Sequence, residues 1–258
     1  MGRQRQSLGI ETRCLPTIFG ITVERTLAID ELHVIYLGVM LAFCKMVLWI
    51  FLMSDVWGGP GLEANRLAFA HRLRRWYRAR HRLYPFENLT RVTNVTIHMI
   101  GDQYDQKLKT KAAETFGILL FLIDELLRVN DEIVEHRTCL LAAAQALLKL
   151  CQIWKSASWK MTGTQLSAAF SAMLTFLHLT STFQQLHLPK RHLLLHPVQR
   201  CARWGCPTAY SNWEDESWNK KLKAACRGIS QGAFEGTLLQ SMGQMLRSHF
   251  LKRGRSDA

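Results

Sequence analysis

The sequence predicts a mainly α-helical bundle carrying one or two short strands. Three observations lead there. Residues 34–53, VIYLGVMLAFCKMVLWIFLM, form an apolar run with one charge, Lys45. Residues 62–82 carry an apolar side under a dense set of arginines. Between Lys107 and Leu186 apolar residues recur at helical spacing in three consecutive stretches. Apolar residues make up 48% of the 258, enough for a substantial core and too many for wholesale disorder.

Residues 1–20 read as an irregular lead-in through Cys14-Leu-Pro16. ITVERTLAI, residues 21–29, is rich in β-branched residues and predicts a short strand. Asp30 is placed to cap a helix that opens at Glu31 and runs to about Met53. SDVWGGPG, residues 54–61, then forces a turn. In the next helix Leu62, Leu67, Ala70, Leu73 and Tyr77 trace the apolar side, and Pro85 ends it. NLTRVTNVTIHMIG, residues 88–101, has no clear period and reads as a loop or a short strand.

A helix from Lys107 places Ala113, Phe116, Leu120, Ile123 and Leu127 on one face. Two more follow, at about Glu132–Trp154 and Thr164–Leu186, and together they predict an antiparallel block. The texture changes at LHLPKRHLLLHPVQR and the turn RWGCPTAYSNW; helices are then expected from near Glu214 and across FEGTLLQSMGQMLRSHF. Residues 21–250 are thus read as one domain and 251–258 as a basic tail, with no internal repeat.

Thirty-three Lys and Arg against twenty Asp and Glu give a formal charge of +13. That favours a polyanionic partner, nucleic acid first and an acidic membrane surface second. Seven cysteines are scattered without close pairs, and no apolar leader follows the basic start, so an intracellular, reducing compartment is expected. The Met-Gly start lacks the Ser or Thr that usually accompanies myristoylation. The 34–53 run is long enough to span a bilayer. A lysine near its centre is costly there, so a buried core helix with Lys45 snorkelling to an edge is the preferred reading.

Several groups carry chemistry. Asp30 and His33, three apart, share a face at a helix start, where they can contact each other or simply cap the helix; Glu31 is expected to face solvent. Arg66, Arg72, Arg74, Arg75, Arg78, Arg80 and Arg82 suit a phosphate backbone, because guanidinium groups form paired hydrogen bonds to phosphate. A solvated basic face explains the same pattern. Trp76 and Tyr77 would stack on bases if accessible, and Lys107, Lys109 and Lys111 extend the positive surface. His187, His192 and His196 with Cys201 and Cys206 hold metal-capable atoms, yet their spacing matches no common zinc motif, so no metal is assigned. Glu214, Asp215 and Glu216 suit a helix first turn; alternatively Glu216 holds a divalent ion. Asp102, Asp105 and Glu114 are further carboxylates for such an ion. No phosphate-loop, dinucleotide or serine-elbow pattern is present.

Taken together, "DELHVIYLGV", "KAAETFGILLFLIDEL", "LPKRHLLLHPV" and "GCPTAYSNWEDESWNKKLKAACR" resemble the C-terminal part of eukaryotic DDE transposase-like proteins of mobile elements, including the CACTA-like group. The resemblance covers roughly residues 15–240. It implies an RNase H-like catalytic domain in which two early aspartates and a later glutamate hold Mg or Mn. Asp30 and His33 would be its signature pair, residues 107–186 part of its helical insertion, and Glu216 the third carboxylate, with Glu214 competing. Two departures stand out. About thirty residues precede the signature, too few for the early catalytic strands, and Cys206 sits where related frames look asparagine-like. The resemblance therefore implies a truncated, transposase-derived, nuclear protein that retains nonspecific DNA affinity without independent catalysis or cofactor. The alternatives are a metal-dependent transposase or nuclease and a membrane-associated helical protein; oligomeric state is left open.

Overall fold

A computed structural model describes residues 29–105 and 107–213, with isolated positions between 220 and 247. The predicted strand at 21–29, the helices after Glu214 and the tail lie, wholly or for the most part, outside the described residues. Chain contacts divide the molecule into two compact units, residues 1–210 and 211–258. Among its described residues the first holds eight helices and no β-strand.

The first helix, α1, runs Leu32–Met53. Its opening turns, Leu32–Val39, are π-helical, so the Met40 N–H reaches back to Ile35 O, five residues away. Its second part, Met40–Met53, is regular α-helix. Lys190, from a helix far along the chain, explains the wide turns. Its Nζ donates to His33 O at 2.8 Å and reaches Leu37 O at 3.4 Å. A side chain inserted into the backbone ladder loosens a helix locally. Gly38 permits that approach, since a Cβ there would stand 2.8 Å from Lys190 Cδ and 2.9 Å from His33 O.

After a 3-10 turn at Asp55–Trp57, α2 spans Leu62–Leu83. Its buried stripe is Asn65, Phe69, Ala70, Leu73, Trp76 and Tyr77, whereas Leu62 and Leu67 are exposed, contrary to expectation. The aromatic residues win the interior because each removes more apolar area from water than a leucine. Residues 88–101 form a loop ending in the single turn α3, Ile97–Ile100, whose Met99 N–H is capped by Thr96 Oγ1 at 3.0 Å. The strand alternative at this place is thereby corrected.

The three-helix block is present as α4 Ala112–Arg128, α5 Arg137–Ser156 and α6 Gly163–Leu179. α4 starts after Lys107, where the Lys111 N–H is taken by Glu114 Oε2 at 2.9 Å. α5 starts later than predicted, because His136 adopts a left-handed conformation at φ 60° just before it. α6 stops at Leu179 and not Leu186; Thr180 Oγ1 folds back on Phe176 O at 2.7 Å. Two short helices follow, α7 Pro189–Leu193 and α8 Leu195–Trp204.

α5 and α6 pack along their lengths, α4 lies against α1 and α5, and α2 against α1. Aromatic rings join these layers. Trp57 stacks on Phe51 and Phe69 with centroids 5.2 and 5.6 Å away, Phe121 sits 5.7 Å from Phe69, and Phe43 meets Phe176 edge-on at 5.6 Å. Burying one such ring stabilises the fold by about 2–3 kcal/mol.

Candidate nucleic-acid interface

α2 positions the site. Positions 71, 75, 78 and 82 fall on one face, at i, i+4, i+7 and i+11, opposite the stripe that holds Leu73 and Tyr77. His71, Arg75, Arg78, His81 and Arg82 from this face, with Arg91 from the following loop, line an open groove of about 520 Å³. Arg91 is brought there by the loop's attachment. Val92 and Val95 are buried, Arg66 Nη1 donates to Val95 O at 2.8 Å, and the Val92 N–H lies 3.5 Å from the Tyr77 hydroxyl. Gly117 of α4 leaves room for that hydroxyl, which a Cβ would meet at 2.7 Å.

The predicted arginines divide into two sets. Arg66, Arg72 and Arg80 are occupied inside the fold. Arg66 pairs with Glu63 one turn earlier. Arg72 binds the buried Glu125 at 2.8 Å, a carboxylate that also takes the Trp57 Nε1–H at 2.9 Å and Arg128 at 2.7 Å. Arg80 forks onto Glu87 at 2.5 and 3.0 Å and stacks on the Trp76 and Tyr84 rings. By contrast Arg75, Arg78, Arg82 and Arg91 are exposed and, among the described residues, have no carboxylate partner. Arg74 is exposed on α2 but does not line the groove.

Trp76 and Tyr77 are not stacking platforms. Both are buried, and the Trp76 Nε1–H is held by Asp124 at 2.6 Å. Lys109 and Lys111 pair with Asp105 at 3.7 Å and Glu114 at 3.2 Å, and no lysine of the 107–111 stretch lines the groove. Sequence reasoning missed Arg91, His71 and His81. The histidines were legible from their i, i+4 and i+3 spacing to Arg75 and Arg78; Arg91 was not, because its loop has no periodicity.

At the start of α1, Asp30 Oδ2 accepts the His33 backbone N–H at 3.0 Å and also contacts the His33 ring Nδ1. That is N-capping with the imidazole folded onto the same oxygen. Glu31, expected in solvent, is 1% exposed, and its Oε2 has no hydrogen-bond partner. Burial and the neighbouring Asp30 charge push its carboxyl up to about 7, against the opposing Lys155 and Tyr36. Lys45 does not snorkel either: it is buried, and its Nζ donates to Ile100 O and, at 2.6 Å, to Asp102 O.

Asp102 and Asp105 cap neighbouring backbone amides at 2.8–3.2 Å. The His192 and His196 rings meet edge-on at 5.1 Å, while Cys201 Sγ reaches Pro197 O and Cys206 Sγ reaches Trp154 O. Among the described residues no three His, Cys, Asp or Glu side chains are grouped to hold a metal ion. Glu214 and Glu216 lie outside the described residues. The chain matches no protein-family model, no curated protein and no solved structure.

Proposed function

We propose that this chain is a nucleic-acid-binding helical protein that holds a phosphate backbone along the α2 groove. The observation that carries the reading is the set of four exposed arginines, at 75, 78, 82 and 91, without a carboxylate partner among the described residues while Arg66, Arg72 and Arg80 are neutralised. Unpaired surface cations repel one another, so a fold that collects them gains by neutralising them with a polyanion. From His71 to Arg82 the face rises about 16 Å, which matches about five phosphates of one strand. The net charge of +13 and the resemblance to the C-terminal part of DDE transposases point the same way, and DNA as the ligand implies a nuclear location. The role proposed is binding. Asp30, the carboxylate that the resemblance would make catalytic, accepts the His33 N–H at the start of α1.

Filter binding of a mixed-sequence duplex between 50 and 200 mM salt tests this. Four phosphate contacts predict a log–log slope of about −4 and a loss of about a hundredfold in affinity across that range. Arg78→Ala lowers the slope by about 1 without sequence preference. A slope near zero, or one unchanged by Arg78→Ala and Arg82→Ala together, overturns the proposal.

A second reading, membrane association, is favoured by α1 itself: 22 residues, with mean hydropathy 2.2 in its most apolar window. The same window is 83% buried inside the molecule, which a core helix also explains. Alkaline carbonate extraction separates the two. Release from membranes supports the first reading and retention the second.

A further inference from the structure

Arg82 and Arg91 both line the α2 groove, and the chain between them leaves the helix through a tight turn at residues 84–87. The Glu87 N–H donates to Tyr84 O at 3.1 Å, and Pro85 stands at the second position of the turn, where its fixed φ suits the bend. Arg80 ties this turn to α2. It forks onto the Glu87 carboxylate at 2.5 and 3.0 Å and lies 5.1 Å from the centroid of the Tyr84 ring.

What the turn holds out is apolar. Leu83 is 73% exposed, Tyr84 55% and Phe86 95%, and Pro85 between them is exposed as well. Single exposed apolar side chains are ordinary on a protein surface, but four in succession on a pinned turn form a patch, and such patches mark interaction sites. This one stands at the end of a row of cations. Phe86 follows the groove-lining Arg82 by four residues, which keeps the two within about 14 Å of each other. Trp76 and Tyr77, being buried, give the groove no ring, so Phe86 is the open aromatic surface beside it.

On the nucleic-acid reading of the α2 groove, on which this rests, we propose that the 83–86 turn is a stacking platform for unpaired bases. Phe86 takes the face of one base from a strand whose phosphates lie on Arg75, Arg78 and Arg82. Cations that track a backbone, joined to an open aromatic ring, are what single-strand recognition requires, because every base has a π-face to offer. In a duplex those faces are already stacked on one another. The partner is therefore a single strand, or a loop or end with unpaired bases. A bilayer is the less suited partner: it meets cations spread over a plane of headgroups, whereas these line a groove.

The probes are an oligothymidylate of about twenty nucleotides, enough to cover one site, and an abasic oligomer with the same number of phosphates. Each is titrated into the full chain by fluorescence anisotropy at pH 7. The expected result is oligothymidylate bound about tenfold tighter than the abasic strand, the worth of one stacked base, with a log–log salt slope of about −3 for four phosphates of a single strand. Phe86→Ala erases the difference between the two oligomers, and Phe86→Trp keeps it. If wild type binds both oligomers alike with that slope, the groove reading stands and the stacking platform falls. If it binds neither, both fall. A base preference that survives Phe86→Ala overturns the platform, and so does Phe86-dependent sedimentation with phosphatidylserine–phosphatidylcholine vesicles in a chain showing no base preference.

Discussion

Glu31 is a buried carboxylate at the start of α1. A carboxylate 1% exposed, with one oxygen unpartnered, is stabilised by taking a proton. Its folded pKa is raised from 4.5 to about 7, so the native state binds the proton more tightly than the unfolded chain. The resulting stabilisation is full below pH 4.5 and is lost as pH rises through about 7, a change on the order of 3 kcal/mol. Urea unfolding at pH 4.5 and pH 8 measures it. Wild type loses stability across that window and Glu31→Gln stays flat; parallel losses would remove Glu31 as the source. The neighbouring Asp30 cap was legible in the sequence, because capping depends on a residue type and its distance of three. The burial of Glu31 was not. Which side of a helix faces inward depends on neighbours that no local pattern names, and on a turn here widened beyond 3.6 residues.

Helices follow the sequence in their existence and less in their ends and faces. α1, α2 and the α4–α6 block were readable from apolar runs and periodicity, and Gly58 to Gly61 and Pro85 mark breaks that the structure keeps. The π-helical opening of α1 was not readable, since Lys190, which holds it open, is 157 residues from His33. Gly38→Ala tests that device. The added methyl displaces the lysine stem or the His33 carbonyl, and overpacking of this kind costs about 1–3 kcal/mol. A chemical-denaturation midpoint equal to wild type would show that Lys190 yields freely. On α2 the sequence showed seven arginines alike. Three were claimed by Glu63, Glu125 and Glu87, and the Glu125 pairing spans 53 residues.

For the whole molecule the question is whether the basic groove serves folding or binding. Arg75 and Arg78 are exposed and touch no carboxylate among the described residues, so reversing them should leave the core alone. The double change Arg75→Glu, Arg78→Glu is expected to abolish duplex retention at 100 mM salt while moving unfolding free energy by no more than about 0.5 kcal/mol. Loss of both together would make the groove structural. Phe121, fully buried where α4 meets Phe69 and Trp76, behaves in the opposite way. Phe121→Ala should cost about 3–5 kcal/mol by thermal or urea unfolding, with DNA affinity of the remaining folded protein unchanged.

By itself the sequence determined the helical character, the order of the principal helices and the excess of positive charge, because composition, periodicity and breakers are local properties of a chain. Tertiary structure alone decided which arginines stay free, that Trp76 and Tyr77 turn inward, that Arg91 joins the groove and that Lys45 meets carbonyls in place of water. Each of these depends on which distant residue arrives beside it, and burial assigns that by packing apolar area and pairing charges across the fold.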